Sequence, residues 1–277
     1  MIPRINKGLQ ESFLLMIALV LLIPFYLVIV NTFKTKADIL SNPLSLPVAR
    51  LTWVNLQNAA VTASFNIFKA YATSVWITGL SVFLVIVIGS MMSYVIARNQ
   101  TKSMKFLYLF LLSGLMIPPQ VILIPLVQIL RSMGLMFKAE GLILFNVAFY
   151  IPFTVFVYTG FIRTISPQLD ESAKMDGANS VRIFWQIIFP LIKSCTASVI
   201  IFECLWIWND FVNPLIILGS GKGYTVTTGI YTAVGKYNTN WDQVFALVFL
   251  ASLPIFVLYL LMQKQFISGL TEGGIKG

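Results

Sequence analysis

Two acids and a cluster of amides and indoles interrupt an otherwise apolar run, FECLWIWNDF at 202–211. Trp206, Trp208, Asn209, Asp210 and, just beyond, Asn213 set flat apolar faces beside hydrogen-bonding groups. That mixture suits a polyhydroxylated solute, because rings stack on C–H faces while amides and carboxylates meet hydroxyls. The same residues also suit plain helix packing, with indoles between helices or at an interface and Asn and Asp bridging neighbours. Glu203 and Asp210 lie two helical turns apart, which would put both acids on nearly one face. Acids in an apolar span can relay protons, although a partner at a subunit interface or a bound proton would satisfy Glu203 equally well. Gln120 follows Pro118-Pro119, and such prolines free backbone groups of the kind that line a cavity or a gate. Asn146 and Tyr150, one turn apart, could line the same cavity.

Other chemistries are excluded. The chain has no histidine, so no His-based catalytic or metal constellation exists, and Cys195 and Cys204 read as small apolar packing residues. No catalytic set and no metal site are visible. GSGKG at 219–223 lacks the ending and the preceding strand of a phosphate-binding loop and reads as a turn.

The elements that must hold these residues are apolar. The 277 residues are 58% hydrophobic and 10% charged, against about 25% charged in a soluble domain. Six windows are long enough to cross a hydrocarbon core: about 12–33, 73–97, 106–130, 141–162, 197–218 and 243–262. None alternates as barrel strands do, so the expected fold is all-α and polytopic, six transmembrane helices in a single domain over 1–277. The first window exceeds a signal-peptide core and is expected to be retained. A net charge of +9 scattered through short loops points to anionic membrane lipid rather than nucleic acid. Lysine and arginine are in modest excess on the side holding both termini, most clearly in RNQTKSMK at 98–105, so both termini are expected in the cytoplasm.

That orientation puts the loop 163–193 in the cytosol. Ser166-Pro167 is a good helix start, and Asp170 and Glu171 suit the positive end of the helix dipole. A short helix should run to about Met175 and end at Gly177, which tolerates a left-handed backbone. Asn179 or Ser180 can cap a second helix carrying an apolar stripe of Ile183, Phe184, Ile187, Ile188 and Leu191, with Pro190 disturbing its end. From periodicity, the pair is either a docking elbow or an amphipathic connector lying on lipid headgroups.

ESAKMDGANSVRIFWQIIFP at 171–190 resembles the EAA motif of ABC importer permeases, which reads E-A-A, three residues, G, nine residues, I, one residue, L-P. Glu171, Ala173, Gly177, Ile187 and Pro190 fall in place, Ser172 and Phe189 being mild departures, and Asp176-Gly177-Ala178 is also similar to the family. NTFKTKADIL at 31–40, MIPPQVILIPL at 116–126, WNDFVNPLI at 208–216 and GLTEGGIKG at 269–277 resemble its carbohydrate branch, the MalG-like permeases. The resemblance implies a heteromeric importer of the bacterial or archaeal inner membrane. Its parts would be this chain, a second permease subunit, two ATPase subunits and an extracytoplasmic solute-binding protein. ATP and Mg would then be held by the ATPase subunits, with no cofactor on this chain. The same resemblance implies that Glu171, Ala173, Asp176, Gly177, Ala178, Ile187 and Pro190 couple to an ATPase subunit, and that a tail containing Gly273 and Gly274 meets both. The carried solute would be a carbohydrate; a polyol or glycerol phosphate importer, or a proton-coupled transporter acting alone, are the alternatives.

Overall fold

The computed structural model describes residues 7–47, 51–61, 65–219, 224–234 and 240–274. Among these residues the fold is helical, with one isolated antiparallel bridge between Val61 and Asn66. The chain divides into two compact units, Met1–Phe68 with Gly229–Pro254, and Lys69–Thr228 with Ile255–Gly277.

In the first unit, α1 (Lys7–Thr32) is apolar on all sides, and side chains from Phe13 to Ile29 face outwards, as hydrocarbon-facing residues do. Its end is tied down by polar contacts. Asn55 on α3 (Val54–Ala60) donates its side-chain amide to the carbonyls of Thr32 (2.9 Å) and Lys34 (2.7 Å). Lys34 is buried and donates to the carbonyls of Asn42 (3.0 Å) and Pro43 (3.2 Å), just after α2 (Lys36–Ser41). Burial holds this ammonium below the ordinary lysine value, and Asp38 opposes the shift. Phe33 packs edge-on against Trp53 and Phe249, the latter from α14 (Trp241–Gly274).

The second unit is built on two long helices, α4 (Ile67–Arg98) and α7 (Ala139–Ile162). They meet closely where a Cβ on Gly89 would stand 2.6 Å from the Thr154 methyl, so only glycine fits that crossing. Val85, Val155, Tyr158 and Ile162 are fully buried there. The window expected to be one helix over 106–130 is broken. α5 (Lys102–Gly114) gives way to a 3-10 turn (Pro119–Ile122) and α6 (Leu123–Ser132), the two arms meeting at 95°. Pro118 and Pro119 cause the break, since neither can donate to a continuing helix.

The window expected over 197–218 is also corrected. α11 (Lys193–Asn209) stops at an extended Asp210 and α12 (Val212–Ile217) starts afresh. Asp210 therefore does not share a helix face with Glu203. Four helices are long and apolar enough to span, and the count reaches six only if each of two sharply bent pairs is taken as one span. α13 (Val226–Val234) and α14 complete the described residues. Gly273 and Gly274 fall at the end of α14, whereas 275–277 and most of the predicted 219–223 turn lie outside the described residues.

Candidate functional site

Two breaks in the helices converge on a groove. It encloses about 650 Å³ and is lined by Gln120, Tyr150, Phe153, Trp206, Asn209, Asp210 and Asn213, among others. That volume lies in the range of small-molecule clefts. Gln120 comes from the 3-10 turn after the proline pair, Tyr150 and Phe153 from α7, Trp206 and Asn209 from the end of α11, and Asp210 and Asn213 from the next break.

One wall is aromatic. Trp206 stacks on Tyr150 with centroids 5.9 Å apart and planes 14° from parallel, and Phe153 meets its edge at 4.7 Å. Trp206 remains 40% exposed, so part of its surface is open to the groove. The facing groups are polar. Asn213 donates its side-chain amide to Asp210 Oδ2 (2.7 Å), and the Thr227 hydroxyl donates to the Asp210 carbonyl (2.7 Å), which holds the break in shape. Asn213 Oδ1 is buried with no hydrogen-bond partner among the described residues. An unmet acceptor of this kind is ready for a hydroxyl.

Six of the seven residues singled out for a solute path thus surround one space. Asn146 does not. It is buried against α4, donates to the Ser81 hydroxyl (3.2 Å) and faces a separate tight recess beside Ser74 and Thr78. A one-turn offset from Tyr150 was enough to place it behind the groove wall. Trp208 is also turned away, stacked on Tyr71 at 6.4 Å.

The 163–193 loop forms the expected elbow. α8 (Gln168–Met175) ends in a turn where Ala178 N–H donates to the Ala173 carbonyl (2.9 Å) and Gly177 N–H to that of Lys174 (3.0 Å). This pairing requires a left-handed residue, and Gly177 has φ +82°. Asn179 then caps α9 (Ser180–Ile183), accepting from Arg182 N–H at 2.8 Å. Glu171, Asp176 and Pro190 are exposed, Ala173 is buried, and Ala178 and Ile187 pack against the core. Met175 is 88% exposed, an unusual setting for an apolar side chain with no function.

Two expectations about this loop are corrected. Its apolar face does not lie on lipid headgroups: Ile183, Phe184 and Ile188 are buried in the protein core. Nor does the stripe reach Leu191, which is 48% exposed, while Ile192 is fully buried in its place. The cause is a π-helical stretch over Phe184–Ile188, ahead of α10 (Phe189–Leu191), whose extra residue shifts the register by one.

Sequence reading missed the clamp at the elbow's root. Arg98, at the end of α4, holds Asp170 of α8 with two bonds, Nε to Oδ2 (3.0 Å) and Nη2 to Oδ1 (2.9 Å). Tyr94 also donates its hydroxyl to Oδ2 (2.8 Å), and Arg98 Nη1 donates to the carbonyls of Ile165 (3.0 Å) and Ile162 (3.4 Å). This ties the elbow to both long helices. The only advance signal was an arginine ending a long apolar window and an acid opening a short helix.

Glu203 is fully buried beside α7, where the Thr154 hydroxyl meets its Oε1 and Oε2 has no partner among the described residues. It does not line the groove, so it and Asp210 sit in separate surroundings.

Residues 85–271 match the family model described as binding-protein-dependent transport system inner membrane component. The chain is 37% identical to the melibiose/raffinose/stachyose import permease protein MelC of Bacillus subtilis, covering 92% of this chain and 91% of that protein. It is 30% identical to the probable starch degradation products transport system permease protein AmyC of Thermoanaerobacterium thermosulfurigenes, over 99% of this chain and 98% of that one. Among solved structures, a bacterial ABC transporter involved in the import of alginate superposes with TM-score 0.73 at 18% identity, covering 94% of this chain and 96% of that chain.

Proposed function

This chain belongs to the family of binding-protein-dependent transport system inner membrane components, and on that footing we propose that it is the membrane-spanning permease subunit of an ATP-driven carbohydrate importer. It is a multi-pass protein of the cell membrane and a transport subunit, not an enzyme. The observation that carries the carbohydrate reading is the groove, in which a half-open indole faces amides and a carboxylate at two helix breaks. Gln120, Tyr150, Trp206, Asn209, Asp210 and Asn213 would form the solute path, stacking on sugar C–H faces and exchanging hydrogen bonds with hydroxyls. Asn146 would stiffen the wall behind it.

The elbow supplies the mechanics. Glu171, Asp176, Met175 and the Gly177 turn present an exposed surface to an ATPase subunit, while Ala173, Ala178 and Ile187 seat that surface on the core. Because Arg98 and Asp170 clamp the elbow to α4 and α7, a push on the elbow would move those helices as rigid bodies and open the groove to alternate sides. The partners would be a second permease subunit, two ATPase subunits holding ATP and Mg, and an extracytoplasmic solute-binding protein. The tail with Gly273 and Gly274 would reach the ATPase pair, and both termini would lie in the cytoplasm.

Reconstitution of the chain with its partners in liposomes tests this. ATP and the loaded binding protein should drive uptake of a labelled oligosaccharide, and deleting 271–277 should weaken that coupling while insertion persists. Uptake by the purified chain alone under a proton gradient would overturn the reading.

A further inference from the structure

The turn RNQTKSMK at 98–105 carries more positive charge than the elbow clamp uses. Thr101 caps α5 by accepting from Met104 N–H (3.3 Å), a tight start that sets Lys102 and Lys105 on the first turn. Beside it lies a pocket of about 440 Å³, walled by Arg98, Asn99, Gln100, Lys105, Arg163 and Pro167. No acid lines it.

Arg98 is committed to Asp170 and brings little free charge. Lys105 and Arg163 are exposed, and the Arg98–Asp170 pair is the one salt bridge among the described residues, so both keep their full charge facing the hollow. Arg163 is held 5.1 Å over the Tyr108 ring, which fixes its position without neutralising it. Two converging cations with amide donors beside them match a phosphate group.

The surface next to the pocket identifies the rest of the ligand. Lys102, Phe106 and Phe110 follow at four-residue intervals on α5, so base and rings share one helix face. Phe106, Leu109 and Phe110 are 72%, 64% and 63% exposed, and the two phenyl rings stack at 6.4 Å. A free phosphate has no use for that apolar strip, whereas an acyl chain does. Bases at a helix end running directly into exposed aromatics mark the boundary between headgroups and hydrocarbon.

We propose that this pocket binds the phosphate headgroup of an anionic phospholipid, whose acyl chain lies along the exposed face of α5. The proposal depends on the importer reading only for which leaflet supplies the lipid, the one facing the ATPase subunits. With Pro167 in its wall, a bound lipid would touch the start of the elbow.

The test is a titration of the full purified chain in detergent by native mass spectrometry, using phosphatidylglycerol, phosphatidylcholine and inorganic phosphate as separate probes. Phosphatidylglycerol should bind, and each base removed should weaken it about fivefold, so the pair Lys105→Gln and Arg163→Gln together should cost about 25-fold. The control Lys193→Gln, an exposed base elsewhere, should change nothing, and the charge-keeping pair Lys105→Arg and Arg163→Lys should preserve binding and report that the fold is intact. Equal phosphatidylglycerol affinity in the wild type and the double Gln variant would overturn the proposal. So would equally tight phosphatidylcholine, and displacement of the lipid by inorganic phosphate at comparable concentration would reassign the pocket to the free ion.

Discussion

The groove and the elbow are both places where a helix stops, yet they are finished in opposite ways. At the elbow every interruption is sealed: Gly177 and Asn179 satisfy the backbone, Ile183, Ile188 and Ile192 are fully buried, and Arg98 closes on Asp170. At the groove the interruptions are left open. Gln120 and Asn209 stay exposed, and Asn213 keeps a buried carbonyl oxygen without a partner. A break with its polar groups met transmits force, because it cannot yield. A break with groups unmet receives a ligand, because something must still satisfy them.

The sharpest way to break this contrast is to unseal the elbow. Asp170→Ala leaves a largely buried guanidinium without its carboxylate, and loss of one partner from such a pair costs about 3–5 kcal/mol. The purified variant should melt well below the wild type and support no ATP-driven uptake. Replacing both partners by apolar residues, Arg98→Met with Asp170→Leu, should recover much of the lost stability. An Asp170→Ala protein that melts with the wild type would show that the clamp does not anchor the elbow.

Gly177 comes next. A Cβ there would meet nothing within 4 Å, so any cost of Gly177→Val is backbone strain alone, about 1–2 kcal/mol. Asparagine, which tolerates the left-handed region, should cost less. Uptake per assembled complex should therefore fall in the order glycine, asparagine, valine, and an unordered series would remove strain as the explanation.

At the groove the effect should appear in binding rather than stability. Trp206→Ala removes a half-exposed ring, so the melting temperature should move little while the half-saturating solute concentration rises about tenfold, a loss of about 1.4 kcal/mol. A large drop in melting temperature with unchanged saturation would make Trp206 a packing residue.

The smallest expected effect is Glu203→Gln. The amide keeps an acceptor for the Thr154 hydroxyl and removes a carboxylate whose second oxygen has no partner, so stability should change by less than about 1 kcal/mol and ATP-driven uptake should persist. Abolished uptake would put Glu203 inside the transport mechanism.

These tests bear most on the parts that sequence reading reached unevenly. The elbow was readable because its rules are local: a cap, a glycine three residues after the helix's last buried residue, and a second cap all act within one turn. The all-helical membrane fold followed equally directly from unbroken apolar runs. The clamp was not readable, because Arg98 and Asp170 stand 72 residues apart and nothing local joins them. The stop at Asp210 was also hidden, since its proline comes four residues later, at Pro214, and the preceding run is as apolar as any span. Asn146 went to the wrong cavity because helical periodicity gives a face, whereas the neighbouring Ser81 decides which side of that face is covered.

The π-helical stretch at Phe184–Ile188 has a consequence for how this chain can vary in length. It stores one residue more than an α-helix needs over the same rise. Deleting any one of those five positions would leave a regular helix, locally no worse than before, but would turn all that follows in it by about 100°. Leu191 would then sit in the core and Ile192 would face outwards, each an apolar residue fit for either place. The segment is therefore a spot where a single-residue gap between relatives can be absorbed without unfolding. Alignments that slide a residue here would exchange two side chains that the structure keeps on opposite faces.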